Sequence, residues 1–257
     1  MPLPSQLYAA GVARGDWTTD PAQQAALVEL DRIDLDLRDA VPSGAWEKLT
    51  ARFSDPVAVK GLYLWGGVGR GKTFLTDLLF DAVIVPKRRW HFHRFMGEVH
   101  ARVRALPDTA DTLAVVAKDL AADLRLLVLD EFFVGDIGDA MILGRLFDQL
   151  FARGVTLVTT SNIPPDELYR DGLQRASFLP AIALIEKSCT VLKLESLQDY
   201  RLRQLQHAAT YHAPLGEGSE AALAAQYARL TAHCPHEHGP LQINDREISV
   251  KAMADGV

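Results

Sequence analysis

The chain has 257 residues, a formal net charge of −6, two cysteines and 48% apolar residues. That length suits one large domain or a domain with a smaller appendage, able to bury a core without covalent staples. The acidic balance argues against a protein whose main task is to coat nucleic acid, because that binding needs clustered Lys and Arg, and the widely separated Cys189 and Cys234 form no disulfide framework and point to a reducing compartment.

At the N-terminus, Met1-Pro2-Leu3-Pro4-Ser5 lacks the basic and then apolar regions of a signal peptide. No stretch approaches the roughly 18 uninterrupted apolar residues of a membrane span, so the expected location is the cytoplasm. Asp20-Pro21 opens a helical lead-in carried by Ala26, Leu27, Leu30, Ile33 and Leu37, with Pro at the first helical position. Breaks at Val41-Pro42-Ser43-Gly44 and Ser54-Asp55-Pro56 end it, which divides the chain into a lead-in (1–55), a core (56–198) and a C-terminal part (199–257).

In the core, strands alternate with helices. Leu62 to Trp65 reads as a buried strand, followed by a helix with Phe74, Leu75, Leu78, Leu79 and Ala82 on one face. Trp90 to His93 is expected as the second strand, Leu124 to Leu129 the third, Val155 to Thr159 the fourth and Thr190 to Leu194 the fifth. The intervening helices are marked by Phe95, Met96, Val99, Val103 and Leu106, by Leu113, Val116, Ala117 and Leu120, and by Leu143, Leu146, Phe147 and Leu150. Strands apolar on both faces and alternating with helices imply an α/β fold with a parallel sheet covered on both sides. Beyond Asp199, a helix over Ala221 to Leu230 and a hairpin around Asn244-Asp245 are expected.

Gly66-Gly67-Val68-Gly69-Arg70-Gly71-Lys72-Thr73 fits G-x-x-x-x-G-K-[ST], with a strand before it and a helix after it. The glycines let backbone N–H groups wrap a phosphate, and the helix start adds its partial positive charge. Gly66 through Phe74 are therefore the expected nucleotide contacts, with Lys72 on the β- and γ-phosphates of ATP and Thr73 on Mg²⁺. Leu126-Leu127-Val128-Leu129-Asp130-Glu131 delivers two carboxylates to the C-terminal end of a buried strand, where ligands sit in open α/β sheets. Asp130 is read as a second Mg²⁺ partner and Glu131 as the general base for water, the competing use being an Asp-Glu cap on the next helix. Asn162, closing the fourth strand, is placed to orient that water, or else serves the turn before Pro164-Pro165. Arg175 is a candidate arginine finger reaching into a neighbouring subunit, its bland alternative being a surface arginine on a helix end.

The phosphate loop, the Asp-Glu strand and the Asn after the fourth strand together describe an ATPase of the AAA+ type. The spelling of Gly61 to Gly69, His91-Phe92-His93-Arg94-Phe95-Met96, Asp130-Glu131-Phe132, Asp136-Ile137, Asp139 to Leu143, Thr160-Ser161-Asn162, Gly172 to Arg175 and Phe178 to Ile182 resembles the ZapE, or AFG-like, family of AAA+ ATPases from about Pro21 onward. The resemblance implies a five-stranded AAA+ core with a helical lid, and ATP and Mg²⁺ as cofactors. It implies a cytosolic role on a protein assembly, the division ring built by FtsZ, with protein quality control the theme of mitochondrial relatives. It also implies a lid that continues beyond Val257, so that only part of it lies in this chain, while an Arg175 finger acting in trans would require a nucleotide-dependent homo-oligomer.

Other residues carry weaker signals. His91 and His93, two apart on the expected strand, face one way, and with His100 are ligands by type, but packing near the nucleotide layer or contact with a partner is the expected use. His233, Cys234, His236 and His238 are crowded as metal ligands are, but the segment is short, lies in an expected loop and lacks partner ligands elsewhere, so no metal is expected there. The basic run Lys87-Arg88-Arg89 with Arg94 is expected as a solvated face, the alternative being contact with a partner or anionic lipid. Two further functions compete with the remodelling ATPase: a DNA-linked loader, and a nucleotide switch that acts as an adaptor without hydrolysis.

Overall fold

The computed structural model describes residues 1–40, 57–106, 110–195, 216–230, 236–237, 239–243, 246–250 and 253–254. They fall into two compact units, 1–199 and 200–257. The first is built on strands β1 (Gly61–Trp65), β2 (Lys87–His91), β3 (Leu126–Asp130), β4 (Thr156–Ser161) and β5 (Cys189–Lys193). All four neighbouring pairs are parallel, in the order β2-β3-β4-β1-β5.

Strands β1 and β3 are apolar nearly throughout because both faces of the sheet are covered there. Leu62, Leu64, Leu126, Val128 and Val158 enter one core with helices α1 (Pro4–Arg14), α2 (Gln24–Asp39) and α3 (Lys72–Ala82). Tyr63, Leu127, Leu129 and Leu157 point the other way. They pack with α4 (Phe92–Arg104), α5 (Thr112–Ala122), α6 (Ile137–Ala152) and α7 (Leu179–Ser188). Helix α1 was not among the expected elements. Its Tyr8 is buried, and Trp17, just beyond its end, bonds through Nε1 to the Tyr8 carbonyl at 3.0 Å. Asp20 starts the lead-in helix by accepting from Ala22 N at 2.9 Å, through a short 3₁₀ turn (Pro21–Gln23) that runs into α2.

The second strand differs from expectation. It runs from Lys87 to His91, and the helix begins at Phe92. Phe92, Phe95, Met96 and Val99 are all buried at helical spacing, so the apolar stripe claims Phe92 for the helix. His93 therefore lies on α4 and does not share a strand face with His91. Three basic residues fit β2 because it is a sheet edge, bonded only to β3. The basic run is also not simply a solvated face. Lys87 Nζ donates to the carbonyls of Phe80 and Val83 at the end of α3, the latter at 2.6 Å, and Arg89 is turned toward β3.

In the second unit, α8 (Glu217–Leu230) precedes a hairpin of β7 (Leu241–Ile243) and β8 (Arg246–Ile248), as the sequence pattern implies. A further short antiparallel ladder joins β6 (His236–Glu237) to β9 (Met253–Ala254). His233, Cys234 and His238 lie outside the described residues, as does the expected break at 41–44. Among the described residues no helix is long and apolar enough to cross a membrane.

Helix α6 begins at a single cap, Asp136, whose carboxylate accepts from Asp139 N at 3.0 Å. Asp136→Ala should lower stability by about 1 kcal/mol, read as a lower urea midpoint with an unchanged slope.

Candidate functional site

The site lies at the C-terminal edge of β1, β3 and β4. After Trp65 the chain bends sharply at Gly66, where φ is 149° and an added Cβ would meet the Leu194 carbonyl oxygen at 2.5 Å. Gly71 (φ 85°) caps α3 in the left-handed conformation. Val68 is exposed, and Thr73 is exposed in the first turn of α3. Lys72 Nζ folds across the loop and donates to the carbonyls of Gly66 (2.7 Å) and Gly67 (2.8 Å), and to Asn162 Oδ1 (3.1 Å). The loop lysine and the asparagine after β4, 90 residues apart, are thus in direct contact. Phe74 turns away onto the N-terminal aromatics, with ring centroids 4.8 Å from Trp17 and 6.1 Å from Tyr8.

Asp130 and Glu131 meet opposite surroundings. The Asp130 side chain is 6% exposed, that of Glu131 72%. The change of direction is made by the backbone, since Glu131 has φ 55°, a left-handed conformation costing about 1–2 kcal/mol for a residue with a Cβ. The neighbouring strand holds it there. Glu131 N donates to Thr160 Oγ1 (3.2 Å), Phe132 N to the Thr160 carbonyl (2.7 Å), and Ser161 Oγ to the Phe132 carbonyl (2.8 Å). Phe132 is then locked among Phe92, Tyr63 and Phe147, at 4.5, 6.1 and 6.1 Å between ring centroids. The next helix is capped by Asp136, so neither Asp130 nor Glu131 serves that purpose. His91 Nδ1 lies 3.9 Å from Glu131 Oε2.

The sequence reading missed Arg89. It registers with Val128 in the β2–β3 pairing and so shares the sheet face of Asp130, two residues on. Its Nε donates to Asp130 Oδ2 at 2.5 Å and Nη2 to Oδ1 at 3.3 Å. Nη2 also reaches Thr76 Oγ1 at 3.2 Å, and Nη1 bonds Asp77 on α3. Burial alone would lower the Arg89 pKa, but the hydrogen bonds and charge of Asp130 and Asp77 outweigh it and raise it. Burial raises that of Asp77, with Arg89 opposing. Thr160 Oγ1 gives Asp130 a further, longer contact at 3.4 Å.

Arg175 begins a 3₁₀ turn (Arg175–Ser177), and its Nη2 donates to the Asp166 carbonyl of its own chain at 2.5 Å. Its Nε is buried without a hydrogen-bond partner. Of the histidines, His100 Nε2 is 2.7 Å from Asp139 Oδ1, joining α4 to the first turn of α6. The rings of His91 and His93 are 6.1 Å apart. Among the described residues, no three His, Cys, Asp or Glu side chains are grouped to hold a metal.

Chemically, the loop offers a glycine-shaped cradle, a helix N-terminus and an ammonium, the set that suits a phosphate chain. The Thr73 hydroxyl and Asp130 carboxylate are oxygen donors of the kind a hard divalent cation takes. The residues present therefore fit a nucleotide with Mg²⁺.

Comparison with known proteins agrees with this geometry. The family model for AFG1-like ATPases matches residues 3–257. "Cell division protein ZapE" of Escherichia coli (strain K12) is 42% identical over 261 aligned residues, covering 97% of this chain and 70% of that protein. "Lactation elevated protein 1 homolog B" of Danio rerio is 41% identical over 167 residues, covering 60% of this chain and 33% of that one. Among solved structures, the replication initiator DnaA bound to AMPPCP and single-stranded DNA superposes with a TM-score of 0.51 at 14% identity, over 85% of this chain and 64% of that one. The fold is that of the AAA+ P-loop ATPases, a five-stranded parallel sheet flanked by helices.

Because Glu131 is held at positive φ, Glu131→Gly should be more stable than Glu131→Ala by about 1 kcal/mol, glycine's greater unfolded-state entropy offsetting part of the relieved strain. Paired urea titrations of the two variants check the order.

Proposed function

This chain belongs to the AFG1-like ATPase family, and on that premise we propose that it couples Mg²⁺-dependent ATP hydrolysis to the remodelling of a protein assembly in bacterial cell division. The FtsZ ring is the expected substrate. The observation that carries the chemical part is the contact of Lys72 Nζ with both the loop carbonyls and Asn162 Oδ1. It puts a cation and a neutral amide side by side over the phosphate cradle.

In this reading Gly66 through Thr73 line the nucleotide site, and Phe74, turned onto Trp17 and Tyr8, contributes its backbone alone. Lys72 exchanges its carbonyl partners for the β- and γ-phosphate oxygens. Thr73 and Asp130 hold Mg²⁺, which when bound draws electron density from the phosphate being transferred. Glu131, exposed at the strand end, accepts the proton of the attacking water. Asn162 positions that water. Arg175 stabilises charge in a neighbouring subunit's site, which requires a nucleotide-dependent homo-oligomer. To do so it must leave the Asp166 carbonyl, and its unpartnered Nε makes that release less costly. The proposed compartment is the cytoplasm, where such a remodeller would meet the division ring.

A second reading, a nucleotide switch that does not turn over, is favoured by one observation. Both Lys72 and Asp130 have protein partners that a bound nucleotide and metal would have to replace, an exchange that would serve a switch without turnover. Turnover decides between the two. Steady-state ATP hydrolysis should rise faster than linearly with protein concentration. Glu131→Gln should bind ATP normally and lose about 10²–10⁴-fold in kcat, and Lys72→Ala should lose ATP binding. ATP bound with no turnover at any concentration would select the switch, and normal ATP affinity in Lys72→Ala would overturn the placement of the phosphates.

A further inference from the structure

Arg89 has no part in the chemistry assigned above, yet it reaches the centre of the site. Its guanidinium bonds both oxygens of Asp130, at 2.5 and 3.3 Å, and also Asp77 and the Thr76 hydroxyl, the latter at 3.2 Å. These groups come from two elements, β3 and α3. Two carboxylates and a hydroxyl around one point form an all-oxygen donor set of the kind that holds a hard divalent cation. Here the point is filled by a side chain that stays protonated and fits a carboxylate through two parallel bonds. The Thr76 hydroxyl also donates to the Thr73 carbonyl at 2.8 Å, so the cluster is continuous with the turn that carries the Thr73 hydroxyl.

We propose that Arg89 is a built-in cation that positions Asp130 and keeps the nucleotide-free site closed to free Mg²⁺, so that the metal enters only with the nucleotide. The inference rests on the reading of Asp130 as a Mg²⁺ partner. A free divalent cation approaching Asp130 meets a like charge already bonded to both carboxylate oxygens. The same cation carried on a phosphate chain arrives with its charge offset and is repelled less by Arg89. Arg89 is thus a positioning residue, and its charge rather than its bulk is the working property.

The test is Mn²⁺ titration of the nucleotide-free full chain, with unbound Mn²⁺ read by electron paramagnetic resonance. The wild type should bind Mn²⁺ weakly. Arg89→Ala should bind it roughly tenfold more tightly or better, and adding Asp130→Asn should abolish the gain. Arg89→Lys, which keeps the charge, should stay as weak as the wild type, an outcome that a purely structural brace does not produce. Circular dichroism establishes that each variant is folded; if Arg89→Ala is not, Arg89→Gln, which keeps a donor to Asp130 without the charge, carries the same test. Folded uncharged variants that bind Mn²⁺ no better than the wild type would overturn the proposal. Asp130→Asn in the wild-type background separates the two claims. If Mg²⁺ then still tightens nucleotide binding as before, the reading of Asp130 itself fails; if that coupling weakens while the Arg89 variants gain nothing, only the role of Arg89 fails.

Discussion

A carboxylate at the end of an all-apolar strand has to be paired, and the rest of the site is arranged around that requirement. Strand β3 buries Leu126, Leu127, Val128 and Leu129 between two helical layers and brings Asp130 to its end almost wholly out of water. An isolated charge there would neutralise rather than stay ionised. Arg89 on the edge strand supplies the counter-charge, and the hydroxyl of Thr160 on the other neighbour adds a bond. Both flanking strands are thereby committed to one side chain. That commitment explains why an edge strand of a buried sheet carries an arginine, and why β4 ends in hydroxyl residues.

The same end of the sheet holds two backbone arrangements that are costly alone. Glu131 sits in the left-handed region, and the Lys72 ammonium is bonded to carbonyls of its own loop. Neither would persist without support. Glu131 is fixed because Phe132, one residue on, is anchored in an aromatic cluster and bonded to β4 through both its N–H and its carbonyl. Lys72 is fixed because Asn162 completes its set of acceptors. Strand β4 is the common support for both. Through Thr160, Ser161 and the following Asn162 it contacts the Lys72 ammonium of one loop and the Asp130 carboxylate, Glu131 N–H and Phe132 carbonyl of another.

Much of this was legible in the sequence, and the parts that were not share a cause. The phosphate loop, the Asp130-Glu131 pair and Asn162 could be placed because a two-faced apolar strand leaves a clear trace and polar residues at its end stand out. Only the end of strand β2 could be placed, because an edge strand need not be apolar, and the run Lys87-Arg88-Arg89 looks like a solvated face until its register against β3 is known. The error was compounded at Phe92, whose aromatic neighbours fit a strand as well as a helix; burial of Phe95, Met96 and Val99 at helical spacing decides for the helix. Helix α1 escaped notice because its buried positions, Pro4, Tyr8 and Gly11, are not a conspicuous apolar stripe. Gly11 is there for room: a Cβ would lie 2.0 Å from the Trp17 ring.

Two charges at this end of the sheet are borrowed by the protein. Lys72, read as the cation for phosphate, is held by carbonyls, and Asp130, read as the anion for metal, is held by Arg89. The two borrowings are linked through adjacent strand ends, β4 reaching Lys72 through Asn162 and Asp130 through Thr160. A ligand that satisfies only one of them leaves the other in its resting state. A phosphate chain with its metal satisfies both, and differential binding of that combined ligand is what would shift such a two-state element. On the proposed function, turning Lys72 to phosphate would take from Asn162 Oδ1 the donor it has here and leave it for a water beside Glu131.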